Sequence, residues 1–223
     1  FMDQLTWDEI ALLVSNGQHQ TALLESISKP RTPDQNGPNG FFRPYKTEET
    51  GLAYKEALAN GFVNEKGKVT KDAGPLYNGN TTGFCSNGVI GASFNKETAY
   101  KVGLIIGNDG LWSGNAGLYG VGCNLHRSPY QGRAAEYYSE CGMLTGIIAA
   151  YESKGIEEKG VHVYNKHCVL NDQETARHGV GTWANEQSIR ELYLRAFEIP
   201  ITEGNAYNVM SAFSRLGTMA GPS

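Results

Sequence analysis

In the second half of the chain, three short apolar segments are each followed by polar residues that can grip a ligand. After GCNL come His126 and Arg127, then SPYQGR to Arg133 and AAEYYSE. After VHVYN come Lys166 and His167, then CVLNDQETAR to Arg177. After YNVMSAF comes SRLG. Taken singly, an arginine after a strand reads most simply as a surface salt-bridge partner, and a lone histidine as a satisfied core residue. Taken together, Arg, Lys and His without a glycine-rich phosphate cradle suit a polyol, because fixed donors at set positions orient several sugar hydroxyls at once. Tyr130, Tyr137 and Phe213 offer aromatic faces for the apolar side of a ring, with core packing as their alternative role. Glu136, Glu140, Asp172 and Glu174 stand close in sequence and are expected to orient the basic groups through salt bridges. His162, His167, Cys168 and His178 lack a recognised metal-ligand spacing, so core packing is the reading there and no metal is expected.

The elements that must hold these residues follow from periodicity. Residues Trp7 to Leu13 have helical apolar spacing, with Asp3 or Thr6 able to cap the start. From Gly17 to about Asn80 the sequence is rich in Gly, Pro, Asn and Lys, with DQNGPNGFF as its densest turn signal, and reads as loop. Beyond residue 95, three units of helix then strand succeed one another. Ala99, Val102 and Ile106 mark the first helix, which leads through Gly114 and Gly117 into LYGVGCNL. Leu144, Ile147, Ile148 and Tyr151 mark the second, ending near Gly155 to Gly160 before VHVYN. Ile189, Leu192, Ala196 and Phe197 mark the inward face of the third, from about Asn185, and YNVMSAF follows Gly204. Repeated βα units imply parallel strands covered on both faces, as in a doubly wound sheet or a closed barrel. Neither G-x-G-x-x-G after a strand nor G-x-x-x-x-G-K is present. The barrel is therefore preferred, and the expected fold class is α/β, a (β/α)8 TIM-like barrel. In such a barrel the strand C-termini build the site.

Composition bounds the rest. The 223 residues suit one domain, and 40% hydrophobic with 19% charged residues is the balance of a folded chain. A net charge of −4 and a pI near 5.8, without clustered Lys and Arg, argue against nucleic acid as a partner. No apolar run approaches the roughly 18 to 20 residues of a bilayer span, so no membrane partner is expected. Cys85, Cys123, Cys141 and Cys168 contain no C-x-x-C pair and are expected to be free buried thiols. Phe1 is not followed by a basic segment and apolar signal core, which fits a cytoplasmic protein as well as a mature secreted one.

The strings NLHRSPYQGRAAEYYSE, KHCVLNDQETARHGVGTWANEQSIRELYLRAFE and NVMSAFSRLG closely resemble glycoside hydrolase family 3, in its β-glucosidase and β-xylosidase branch. They span most of Asn124 to Gly217 in the family's order. Residues 83 to 123 fit more loosely, and Phe1 to Thr82 hardly at all apart from DQNGPNGF. The N-acetylglucosaminidase branch carries a Gly-His-Gly motif after its Lys-His pair, where this chain has VLNDQE. The resemblance implies one partial barrel domain over residues 1–223, incomplete at its C-terminal end, with 1–82 irregular and 83–223 built of βα repeats. It also implies a pocket for a terminal sugar made by Arg133, Lys166, His167 and Arg177, with Met210 and Phe213 on its floor or wall. Asn36 stands where the family commonly has an aspartate before Gly-Pro, so weaker sugar binding is expected.

The activity implied is hydrolysis of terminal non-reducing β-D-glucosyl residues by a retaining two-carboxylate mechanism, on a β-glucoside or oligosaccharide, with no organic cofactor expected. No residue of this chain is assigned as nucleophile or acid/base. In the family those lie on a later strand and in an α/β sandwich domain, expected beyond this chain, so further domains of the same protein or a homo-oligomer are the expected partners. A non-catalytic carbohydrate-binding remnant or an inactive fragment is the alternative.

Overall fold

The computed structural model describes residues 2–15, 19–41 and 81–220. Sequence expectations for 42–80, most of the predicted loop region, lie outside these residues. Helix α1, Trp7–Ser15, starts in a capping box: the Glu9 N–H donates to the Thr6 hydroxyl (3.2 Å), and the Glu9 carboxylate accepts the Thr6 N–H (2.9 Å). Thr6, not Asp3, is thus the cap. The same carboxylate accepts the Ser26 N–H (2.9 Å) and ties α1 to the next turn.

Strands β1 (Gln20–Thr21) and β2 (Thr32–Asn36) occupy a stretch expected to be loop. The correction has a tertiary cause. Pro33, Asp34 and Asn36 are poor strand formers, yet β2 pairs in parallel with β3, Gly117–Tyr119, placing Asp34 opposite Gly117 and Asn36 opposite Tyr119. The turn signal starts only after β2, where the Gly40 N–H closes onto the Gly37 carbonyl (3.2 Å).

The three predicted helix–strand units are present. Short α2 (Asn87–Ala92) precedes α3 (Lys96–Ser113), whose Asn95 cap accepts from the Glu97 and Thr98 N–H groups (3.0 and 3.2 Å). α3 leads to β3, and α4 (Gly142–Glu157) leads to β4 (His162–Cys168). Asn185 caps α5 (Glu186–Ser188), which runs through a π-helical turn, Ile189–Leu194, into α6 (Arg195–Glu203) and then β6 (Asn208–Ser211). β5 (Gly181–Thr182), β7 (Arg215–Leu216) and β8 (Met219–Ala220) form a separate small sheet.

The main sheet runs β1-β2-β3-β4-β6, with β2, β3, β4 and β6 mutually parallel and β1 antiparallel at the edge. The architecture is therefore α/β with a mixed sheet; the described strands do not close a complete barrel. Ile106, Leu118, Val121, Ile148, Ile156, Val163 and Phe197 belong to one core joining helices and sheet. α3 lies against α4 closely enough that a Cβ on Gly103 would sit 2.1 Å from the Glu152 carbonyl oxygen.

Two expectations about side chains are corrected. Leu192 is 45% exposed, because the π-helical turn carries one more residue per hydrogen-bonded loop and rotates this position off the buried stripe of Ala196 and Phe197. All four cysteines are free, but burial holds fully for Cys123 alone. Cys85 lies in the exposed segment before α2 and Cys141 at the start of α4, positions where chain ends of helices meet solvent.

Candidate functional site

Adjacent parallel strands bring the predicted basic residues to one end of the sheet. Beyond β3, Gly122 bridges both Lys166 on β4 and Tyr137 in the following segment. Lys166 is only 2% exposed, and its Nζ lies 3.4 Å from Glu136 Oε2. Glu136 closes the short turn Ala134–Glu136 that follows Arg133, so its carboxylate also receives Arg133: Nε at 3.1 Å and Nη2 at 2.8 and 2.7 Å. One carboxylate thereby holds two cations. Burial pushes the Lys166 ammonium down to about 8; Arg133 presses the same way, and Glu136 opposes.

His167 is buried beside them. Its ring is pushed down to about 2 by burial and by Arg133, Lys166 and Arg177 in turn, so it is neutral across the physiological range. Asn124 clamps its backbone: Oδ1 accepts the His167 N–H (2.7 Å), while Nδ2 donates to the His167 and Val169 carbonyls (2.9 and 2.6 Å). Lys166 and His167 are joined by a cis peptide.

A second group stands alongside. Arg177 Nη1 donates to Glu174 Oε2 (2.7 Å), and the Arg177 guanidinium carbon lies 4.6 Å from the centroid of the Phe213 ring. His178 packs against Phe213 with ring centroids 4.7 Å apart. Gly132 passes close to Glu174 in a left-handed conformation, φ 89°, where a Cβ would meet the glutamate side chain at 3.0 to 3.1 Å.

Arg133, Lys166 and His167 form one cluster, and Arg177 with Phe213 flanks it. Met210 is half-buried on β6 in register with Lys166. Asn36 is exposed at the C-terminal end of β2, opposite Tyr119, and among the described residues it forms no hydrogen bond with the cluster. Of the four acidic residues, Glu136 and Glu174 hold the basic groups. Asp172 is half-buried near Arg127, and Glu140 is exposed. Tyr137 offers no open face, being fully buried with its hydroxyl within 3.3 Å of His167 Nδ1, whereas Tyr130 is 93% exposed. Sequence reasoning missed Asn124 and Asn171. Their signal was an amide within an apolar run (Asn124) or directly after one (Asn171), where burial demands partners. Among the described residues no group of three or more His, Cys, Asp or Glu is arranged to hold a metal ion, and no helix is long and apolar enough to cross a membrane. A cleft of about 750 Å³ beside α1, lined by Glu9, Ser26 and Arg31 among others, contains none of the predicted site residues.

No protein-family model matches the chain. It is 38% identical over 128 residues to a β-glucosidase of Ruminococcus albus, covering 57% of this chain and 14% of that protein. The structure of β-glucosidase 3B from Thermotoga neapolitana in complex with glucose matches with a TM-score of 0.77 at 27% identity, covering 98% of this chain and 29% of that one. A GH3 β-glucosidase of Bifidobacterium adolescentis shares the fold, with a TM-score of 0.78 at 24% identity over 99% of this chain and 28% of that one. The resemblance to the family 3 β-glucosidases is thus borne out, and the chain spans about 15% of the length of the curated relatives it matches.

Proposed function

We propose that this chain, similar to part of the family 3 β-glucosidases, supplies the sugar-gripping portion of a glycoside hydrolase acting on terminal β-D-glucosyl residues. In this reading the four parallel strands belong to a (β/α)8 barrel, and their C-terminal ends form the floor of the sugar site. One observation carries it: Arg133 and Lys166 converge on a single carboxylate, Glu136, at 2.7 to 3.4 Å, with neutral His167 buried next to Lys166 and the Arg177–Phe213 pair alongside.

The arrangement suits a neutral polyol. Guanidinium, ammonium and imidazole N–H groups are donors; the Glu136 and Glu174 carboxylates are acceptors and balance the cations locally. The Gly-rich backbone cradles that hold nucleotide phosphates are absent from the sequence. Burial stiffens the donors, so hydroxyls meet a preformed array without loss of side-chain freedom. Phe213 and Met210 offer apolar surface for the C–H face of the sugar ring.

Chemistry in a retaining glycosidase needs two carboxyls about 5 to 5.5 Å apart, a nucleophile and an acid/base. Glu136 and Glu174 are engaged with arginines and are assigned neither part; both carboxyls are assigned to polypeptide other than these 223 residues. The residues of this chain orient the sugar so that its anomeric carbon is presented to those groups.

The test replaces Lys166 or His167 with Ala in the full protein and follows hydrolysis of an aryl β-glucoside. Turnover should fall by orders of magnitude with the fold retained. Near-parental turnover in both variants refutes the pocket. Glucose binding without hydrolysis in the parent favours the carbohydrate-binding alternative.

A further inference from the structure

Behind His167 lies a hydrogen-bond chain that determines which of its ring nitrogens carries the proton. Asn171 Nδ2 donates to Glu174 Oε1 (3.0 Å) and to the Tyr137 hydroxyl oxygen (3.0 Å). The Tyr137 oxygen in turn lies 3.3 Å from His167 Nδ1. Directionality propagates from the carboxylate. Glu174 accepts from Arg177 at 2.7 Å, and as the acceptor of this ion pair it calls for a donor on its other oxygen, so the Asn171 atom facing it is the amide nitrogen. That NH2 has two hydrogens, one for Glu174 and one for Tyr137. Tyr137 therefore accepts from Asn171, and its own proton needs an acceptor within a fully buried environment. The His167 Nδ1 lone pair is the acceptor beside it. Were Nδ1 protonated instead, the buried hydroxyl would accept twice and leave its proton unsatisfied.

We infer that the Glu174–Asn171–Tyr137 relay locks His167 as the Nε2–H tautomer, making Tyr137 and Asn171 positioning residues that fix Nε2 as a donor toward the bound ligand. The Asn124 clamp on the His167 backbone and the edge-on packing of the Tyr137 and His167 rings (centroids 6.3 Å, 77°) hold the imidazole in register with this relay. A donor at Nε2 suits a hydroxyl lone pair, and it persists because the ring stays neutral. Arg177 also becomes a remote orienter: its 2.7 Å ion pair holds the Glu174 side chain where it accepts from Asn171. The ligand-facing part of this inference rests on the sugar-site reading above; the tautomer itself does not.

The experiment is nitrogen NMR of the full protein labelled with 15N-histidine, without sugar, the His167 signals being identified by their loss in His167→Gln. A protonated imidazole nitrogen resonates far upfield of a bare one. The expected parental spectrum shows His167 with protonated Nε2 and bare Nδ1, and in Tyr137→Phe the Nδ1–H form gains population. Asn171→Asp removes the amide donor, so Tyr137 can turn its proton to the new carboxylate, and the tautomer should shift the same way. Protonated Nδ1 in the parent overturns the relay without needing any variant, and an unchanged tautomer in folded Tyr137→Phe overturns it too. Glucose added to the parent tests the sugar site separately: an unmoved His167 signal refutes that reading and leaves the relay standing.

Discussion

Replacing Glu136 with Gln removes one negative charge and almost no volume, and it should change the protonation of a residue it merely touches. Lys166 is buried, titrates at about 8, and has Glu136 at 3.4 Å as its counter-charge, while Arg133 opposes its protonation. A bare Coulomb figure at 3.4 Å with an effective dielectric of 20 is about 5 kcal/mol. Glu136 is about a quarter exposed and Gln keeps a dipole, so the smaller value for charge-assisted hydrogen bonds, about 1.5 to 3 kcal/mol, is the better guide. At 1.36 kcal/mol per tenfold, proton affinity at Lys166 falls about ten- to a hundredfold. The parent lysine is about nine-tenths charged at neutral pH, and the variant lysine about one-half to one-tenth. The assay is a pH titration of the Lys166 side chain by 13C or 15N NMR, with glucose binding followed over the same range. Titration at the parental pH in the folded variant would refute the assignment of Glu136 as the charge that keeps Lys166 protonated.

Asn36→Asp should strengthen glucose binding by about 1.5 to 3 kcal/mol if this strand end faces the sugar, which titration calorimetry reads directly; unchanged affinity removes Asn36 from the site. Glu152, fully buried under Tyr138 with 2.9 Å between their oxygens, is pushed up to about 8 by burial. Its unfolded form ionises near 4.5 and its folded form only near 8, so the unfolded chain binds fewer protons in between and stability falls as pH rises through that window. Denaturant melts at several pH values should show a loss on the order of a few kcal/mol, and Glu152→Gln should flatten it. Gly103→Ala drives a Cβ to 2.1 Å from the Glu152 carbonyl oxygen, so α3 and α4 must separate. The expected loss is more than about 2 kcal/mol, measured as a lowered denaturation midpoint, and an unchanged midpoint would refute the close helix contact.

Local signals in the chain already specify much of this molecule. A cap and a helix are decided within a few residues, which is why Thr6 with Glu9, Asn95 and Asn185 mark helix starts, and why three helix–strand units are legible as written. The motifs shared with family 3 likewise pointed to Arg133, Lys166, His167 and Arg177 before any geometry was known. What required the tertiary structure is everything set by partners far along the chain. β2 is a strand because β3 lies beside it, against the preference of its own Pro, Asp and Asn. Asn124 meets His167 across 43 residues and Tyr137 meets it across 30, contacts that exist only after the strands have taken their parallel register. Tyr137 therefore turned from a sugar-packing candidate into a buried relay, and Leu192 turned outward at a π-helical turn that periodicity does not signal. The reason is physical: helix formation depends on neighbours three and four residues apart. The direction of a buried hydrogen bond depends on which distant donors and acceptors the packed sheet leaves without water.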